Sequence, residues 1–450
     1  MAETALLADF TAETTFSDIT TDAIDHSQTA IRDYIGVALY GSHHDVGDRI
    51  SAYVDRSASG DQSTVFCRGT ASVPGAALAN GAFGHAIDYD DTFESIVIHP
   101  TSPVFAASLA AAESIDTTTR DLLTGYVVGC EVAFRVGHST YPEHYRNGWH
   151  ATGTIGTFGA VAAAGSVLDL DRTALVHAFG IAASLSSSLK KNFGSMTKPL
   201  HAGHAAEMGV RSTLLADEGF TADEAVFEGD LGYGEVMTMH DGYDPAEITE
   251  GLGESWNVTD IGYKPYPSGV ITHAAMDAMR NLVLEHDLTP ETVDRITVSL
   301  EDAASEMLIH AQPENALQAK FSIEFCLAAI LREGEAGIHE FTDEYVTDPQ
   351  TRATIDKVER AFEDDLFGDD FAGYGATVRV QTTAGDELTA REQYAPGSPN
   401  NPLSEERLRD KFFECAETRL DRSAAEELEA TIQRLKDDLP VGELTAQLDP

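Results

Sequence analysis

Lysine is the scarcest charged residue in this sequence: eight among 450, none before Lys190. Other absences narrow the reading further. The four cysteines (Cys67, Cys130, Cys326, Cys415) lie far apart without C-x-x-C spacing, which points away from a disulfide framework and toward buried free thiols. No run reaches 18 apolar residues, so no membrane span is expected. The N-terminus has neither a basic start nor a long apolar stretch, so no signal peptide is expected and the cytoplasm is the expected location. Neither G-x-S-x-G nor H-E-x-x-H occurs, which argues against serine-hydrolase and zinc-protease chemistry.

Acid fills the place that lysine leaves. There are 75 Asp and Glu residues against 29 Lys and Arg, a formal charge of −46. The acids are scattered, so they describe a surface and not a tail. Self-repulsion on this scale is screened when roughly 1 M salt shortens the Debye length to about 3 Å. The composition therefore reads as a protein of a high-salt, halophilic cytoplasm. Such a surface is a poor ligand for nucleic acid or for an anionic membrane. A lysine retained here is expected to have a task, because a compact ammonium whose pKa moves on burial suits carboxylate binding and proton transfer.

The length favours two domains, and the texture of the chain changes once. From residue 20 to 230 it is helical and rich in small residues. Apolar residues recur at helical spacing over Ser102–Ile115, Arg120–Gly137, Gly153–Leu168, Ala174–Leu189 and Leu200–Leu215. Thr101 or Ser102 is placed to cap the first of these. After residue 255, Trp256–Tyr263, Val293–Leu300, Ala376–Thr383 and Leu388–Tyr394 read as strands, the last two joined by a turn at Ala384-Gly385-Asp386. Thr272–Glu285, Leu317–Arg332, Ser404–Thr418 and Ser423–Asp438 read as helices. The expected fold is mainly α: a large multi-helical domain (1–262 with 403–450) and a smaller α+β lid domain (263–402).

The densest polar cluster is His85-Ala-Ile-Asp88-Tyr-Asp90-Asp91-Thr92, followed by His99-Pro100. Its neighbours Phe83, Ile87 and Val97 are apolar, so these carboxylates border a core. On a helix His85 and Asp88 would share a face, with Asp90 and Asp91 turned elsewhere. The stretch from Gly148 to Gly159 has glycines at a spacing that fits close helix packing better than a nucleotide loop. His150 opens it. Lys198 precedes a helix whose first position suits Pro199, so ammonium and helix N-terminus together suit an anion. His201 and His204 lie three apart but lack a third ligand at zinc spacing, so no metal is expected. Lys264-Pro-Tyr-Pro falls where the two textures meet, a common place for a binding site.

Taken together these segments resemble the MmgE/PrpD family. The resemblance runs through Asn80-Gly-Ala-Phe-Gly-His-Ala-Ile-Asp-Tyr-Asp-Asp-Thr92, Trp149-His-Ala-Thr-Gly-Thr154, Asn192 to Gly203, Tyr263-Lys-Pro-Tyr-Pro267, Ala319-Lys-Phe-Ser322 and Lys411-Phe412. Four of the eight lysines (Lys198, Lys264, Lys320, Lys411) fall inside these blocks. The resemblance implies a homodimer with no metal and no organic cofactor, acting on a small di- or tricarboxylate by proton transfer beside a carboxylate. It implies catalytic roles for Asp88, Thr92, His99, His150, Lys198 and Lys264, with Asp91, His201 and Tyr266 binding substrate. Lys198 and Lys264 would hold substrate carboxylates and stabilise the enolate-like charge. His150 is the expected base, His99 the acid, Asp88 the partner that orients a histidine, and Thr92 a hydrogen-bond donor to substrate. The simplest activity is a lyase resembling 2-methylcitrate dehydratase. Alternatives are a cis-aconitate decarboxylase-like lyase, an iminodisuccinate epimerase-like isomerase, and a catalytically silent carboxylate-binding homologue. Two positions depart from the family's patterns. The dehydratases carry Trp-Lys where this chain has Thr197-Lys198, and the decarboxylases carry a histidine where it has Gly269.

Overall fold

A computed structural model describes residues 3–301, 307–363, 366–368 and 373–449. Two apolar cores organise them. The larger runs from Leu7 to Tyr263 and takes in Leu408 to Leu448 from the far end of the chain; the smaller runs from Tyr266 to Val380. The fold is mainly α with a smaller α+β part. No helix among the described residues is long and apolar enough to cross a membrane.

The larger core is built from α1 (Thr21–Gly41), α2 (Val73–Gly84), α3 (Thr101–Ser114), α4 (Thr119–Thr140), α5 (Ala151–Val167), α6 (Arg172–Leu185) and α7 (Thr197–Asp217). Helices α2, α3 and α5 are apolar all round and buried almost end to end, so each must be enclosed by others. Small residues let them approach. A Cβ on Gly81 would lie 2.9 Å from Gly203 Cα, and one on Gly203 would lie 2.2 Å from the Leu78 carbonyl, so α2 and α7 cross backbone to backbone. The glycines of α5 do the same work: a Cβ on Gly159 would lie 2.8 Å from the Gly129 carbonyl of α4. A short hairpin, β1 (Ser59–Val65) and β2 (Gly69–Ala71), flanks α2.

The smaller core packs α8 (His273–His286) and α9 (Ile323–Glu333) against a four-stranded sheet. Its strands are β3 (Val293–Glu301), β4 (Val358–Glu363), β5 (Ala376–Thr382) and β6 (Glu387–Glu392), in the order β4-β3-β5-β6. β5 and β6 form the expected hairpin; β3 pairs antiparallel with β5 and parallel with β4. Helices α10 (Glu405–Ala416) and α11 (Arg422–Gln433) then return to the larger core.

Three local expectations are corrected, and one strand is added. Trp256–Tyr263 is not a strand: Asn257–Asp260 is a 3₁₀ turn, and only Gly262 forms an isolated bridge, to Thr92. Its β-branched and aromatic residues serve burial, with Trp256, Val258 and Ile261 all in the larger core. β4 was not foreseen, because Val358-Glu-Arg-Ala-Phe-Glu363 has a single strongly buried residue, Val358. The expected helix 317–332 is two pieces, broken at Lys320, after which Ser322 caps α9 by accepting from Phe325 N. Finally, neither Thr101 nor Ser102 caps α3. Both hydroxyls donate to carboxylates of the polar cluster instead.

Candidate active site

Helix α2 stops at Gly84, and the chain then folds into a tight loop that carries His85, Asp88, Asp90, Asp91 and Thr92, all buried. Asp88 has φ 57°, a left-handed conformation that turns its carboxylate away from a helical path. His85 and Asp88 therefore do not share a helix face. The dyad is instead His85 with Asp90, whose two oxygens lie 2.9 and 3.0 Å from His85 Nδ1. Ser102 also donates to Asp90, at 2.6 Å.

Lysines hold this loop from four separate parts of the chain. Lys198, in the first turn of α7, donates to Asp88 Oδ2 at 2.8 Å and lies 2.9 Å from His85 Nε2. Lys264 donates to the Asp88 carbonyl at 2.9 Å and, in a shorter contact, to Asp88 Oδ1. Lys320 donates to the Ala86 carbonyl at 3.2 Å, and Lys411 of α10 to the Tyr89 carbonyl at 2.7 Å. Lys411 also lies 2.6 Å from the buried Asp33 of α1. All four lysines are buried. Each answers an oxygen of this loop.

These contacts fix the histidine tautomers. His85 accepts from Lys198 at Nε2, so its Nδ1 carries the proton given to Asp90. His99 Nδ1 lies 2.8 Å from the Asp91 carbonyl, which can only accept, so His99 Nε2 bears the lone pair. That nitrogen is 3.8 Å from Asp88 Oδ1, too far for a hydrogen bond. Asp88 thus does not orient a histidine as expected, because two ammonium groups already occupy it. His150, which opens α5, has Nδ1 2.9 Å from His201 Nδ1 on α7.

Burial would push the Asp88 carboxyl up, but Lys198 and Lys264 outweigh it and hold Asp88 well below the usual carboxylate range. Burial lowers the Lys198 ammonium against the pull of Asp88, and brings Lys320 down to about 7. Burial also keeps His99 and His150 well below the ordinary imidazole value, and His201 falls to about 4 for the same reason. Asp88 is therefore held as a carboxylate, and burial in the free site disfavours charge on the imidazoles.

A small cavity opens beside the loop. Asp88, Thr92, His99, His150, Lys198 and Lys264, the six residues assigned catalytic roles from the sequence, all line it. Val97, Phe193, Val270, Ile271 and Phe321 form an apolar wall, and Phe193 stacks on Phe321 with centroids 5.5 Å apart. An ammonium has three donors. Lys198 and Lys264 each make two contacts with the loop, and both line the cavity.

The three residues expected to bind substrate stand back from it. Asp91 accepts from the backbone and hydroxyl of Thr101, and burial raises its carboxyl well above the usual range. His201 lies behind His150. Tyr266 packs in the smaller core, its hydroxyl 3.4 Å from Asp277. Sequence reasoning assigned no site role to His85, Asp90 or Lys320; the first two had a signal in their spacing, and Lys320 in its scarcity. Tyr145 and Met307, which also line the cavity, had none.

His85, Asp88, Asp90 and His99 bring four donor atoms within 4.8 Å of one another. They fit a cation poorly, because Lys198 and Lys264 already lie against Asp88, and His85 and Asp90 are bonded to each other. The arrangement suits an anion held against ammonium groups, with imidazoles free to move protons.

Residues 5–246 match the MmgE/PrpD N-terminal domain and residues 266–437 the MmgE/PrpD C-terminal domain. Among curated proteins, the chain is 28% identical to cis-aconitate decarboxylase of Mus musculus, over 93% of this chain and 88% of that protein. It is likewise 28% identical to the Homo sapiens enzyme of that name, over 93% and 89%. The similarity to cis-aconitate decarboxylase of Aspergillus terreus is 25%, over 95% and 92%. The chain belongs to the MmgE/PrpD family.

Proposed function

We propose that the protein is a lyase that acts on a small polycarboxylate without a metal or organic cofactor, and that it is a carboxy-lyase. The observation that carries the reading is the pair Lys198 and Lys264, which line one cavity together with His99 and His150. A substrate carboxylate held by these ammonium groups becomes an acceptor for charge as a neighbouring C–C bond breaks and CO2 leaves. The electron pair passes into that carboxylate, and a histidine supplies the proton that completes the new C–H bond. Preorganised donors of this kind act most strongly where water is excluded. The apolar wall favours departure of uncharged CO2, and the names of the relatives point the same way.

A second reading, a dehydratase, is favoured by Gly269. It lines the cavity where the family's decarboxylases carry a histidine, and a Cβ there would meet nothing closer than 3.5 Å. His99, with its Nε2 lone pair beside the cavity, would then abstract a proton. Incubation with a panel of polycarboxylates in deuterated high-salt buffer, followed by NMR, separates the readings. A carboxy-lyase releases CO2 and leaves deuterium on carbon, whereas a dehydratase forms an alkene and water. An epimerase only exchanges and inverts. Absence of turnover and of exchange across the panel would overturn the lyase reading in both forms.

A further inference from the structure

The decarboxylation proposed above has a proton balance that the dehydration lacks. Converting R–COO⁻ to R–H and CO2 consumes one proton from solvent in every turnover. A dehydratase returns the proton it abstracts with the departing hydroxide. The first reaction therefore needs a route by which a buried donor is reloaded. His150 is buried against the cavity, and its Nδ1 faces His201 Nδ1 at 2.9 Å. His201 does not line the cavity; it lies on α7 one turn before the less buried His204.

We propose that His201 is a proton relay, the group through which His150 is recharged from solvent after each turnover. This rests on the carboxy-lyase reading. His150 enters the cycle as an imidazolium beside the anionic substrate, gives its Nε2 proton to the substrate carbon as CO2 leaves, and becomes neutral with its remaining proton on Nδ1. Tautomer shifts in both rings then leave His150 protonated on Nε2 and His201 on Nδ1, with one proton still lying between the two Nδ1 atoms. His201 takes up a solvent proton at Nε2 and passes its Nδ1 proton to His150 Nδ1, which restores the imidazolium for the next cycle. No oxidant or further reactant is required, and each cycle moves one proton inward. Two facing Nδ1 atoms can make this contact only if one carries a proton and the other a lone pair, which is the arrangement that a relay uses. A histidine that served only to orient its neighbour could be replaced by any group offering the same hydrogen bond.

Two variants separate these roles, with turnover followed by CO2 release. His201→Gln can hold His150 by a hydrogen bond but cannot carry a proton. It should lower kcat at least tenfold with little change in KM, and kcat should rise again as imidazole is added to the buffer. His201→Ala should behave alike, with a larger response to imidazole. Wild type should not respond. Full activity in His201→Gln, or a low kcat that added imidazole leaves unchanged, would overturn the relay.

A readout that needs no turnover is the ¹⁵N NMR titration of labelled histidines in the full chain. Lys198, His85, His99 and His204 are the other titratable groups acting on the pair. The two Nδ1 resonances should shift together as a single proton is taken up between them. If one ring titrates while the other stays silent, the relay fails whatever the substrate. If the rings titrate together but no polycarboxylate is turned over, the carboxy-lyase reading fails and the shared proton stands.

Discussion

Lys264 grips Asp88 twice, giving one hydrogen bond to its backbone carbonyl and another to its carboxylate. The residue is therefore fixed in both backbone and side chain by one ammonium, while Lys198 takes the second carboxylate oxygen.

Lys198→Ala and Lys264→Ala should each lower kcat by roughly a hundredfold or more, corresponding to about 3 kcal/mol of lost stabilisation. Each should also lower stability by about 3–5 kcal/mol, because Asp88 is left as a poorly compensated buried charge. Adding Asp88→Asn to either variant should restore much of the stability and none of the activity. Lys436→Ala is the control. Its partner Asp25 is exposed, and loss of a surface pair costs about 0–1 kcal/mol. Thermal unfolding and kinetics of these variants check this, and equal behaviour of Lys198→Ala and Lys436→Ala would contradict it.

Lys320 gives a pH dependence whose sign follows from its burial. Its ammonium has an ordinary value of 10.5 and falls to about 7 in the fold, so the folded state resists protonation that the unfolded chain accepts. The stability contribution is present above 10.5 and is lost as pH falls toward 7. Lys320→Met removes this dependence. The stability difference between variant and wild type should therefore move in favour of the variant from pH 10 to 7, by up to about 1.4 kcal/mol per pH unit, and stay flat below. Denaturant titrations at fixed salt across that range measure it; parallel curves would show that Lys320 is not desolvated.

Withdrawing salt should unfold the protein. With a formal charge of −46, repulsion grows as the Debye length lengthens from about 3 Å at 1 M to about 10 Å at 0.1 M. Circular dichroism from molar to tens of millimolar salt should record loss of helix, and a constant signal would count against a high-salt origin for the composition.

Chelator should leave turnover unchanged, since the His85, Asp88, Asp90 and His99 donors are engaged with one another and with lysine. Activity abolished by EDTA and restored by a divalent ion would reverse this reading.

How much of this was legible in the sequence differs by feature. Helices α3, α4, α5 and α8 were readable because long apolar stretches at helical spacing fit little besides a buried helix. Trp256–Tyr263 misled because β-branched and aromatic residues mark burial as readily as strand. β4 was silent because a largely unburied strand has no apolar alternation to show. The six cavity-lining polar residues were legible through the family's blocks and the scarcity of lysine. Their contacts were not. That Asp88 meets two lysines, and His85 meets Asp90, depends on the left-handed turn at Asp88, and an aspartate gives no local sign of that conformation. His201 was misplaced for a related reason: sequence put it near the site but could not say which side of His150 it occupies.

The bond from Lys411 to the Tyr89 carbonyl joins positions 322 residues apart. On a ribosome adding about 5–20 residues per second, Tyr89 is made roughly 16–64 s before its lysine. Through that interval the helices around the Asp88 loop can pack, yet the loop lacks its support from α10. Catalytic competence would then be among the last properties that a newly made chain acquires, and ribosome-bound chains stalled between Lys320 and Lys411 would be folded over most of their length and still inactive.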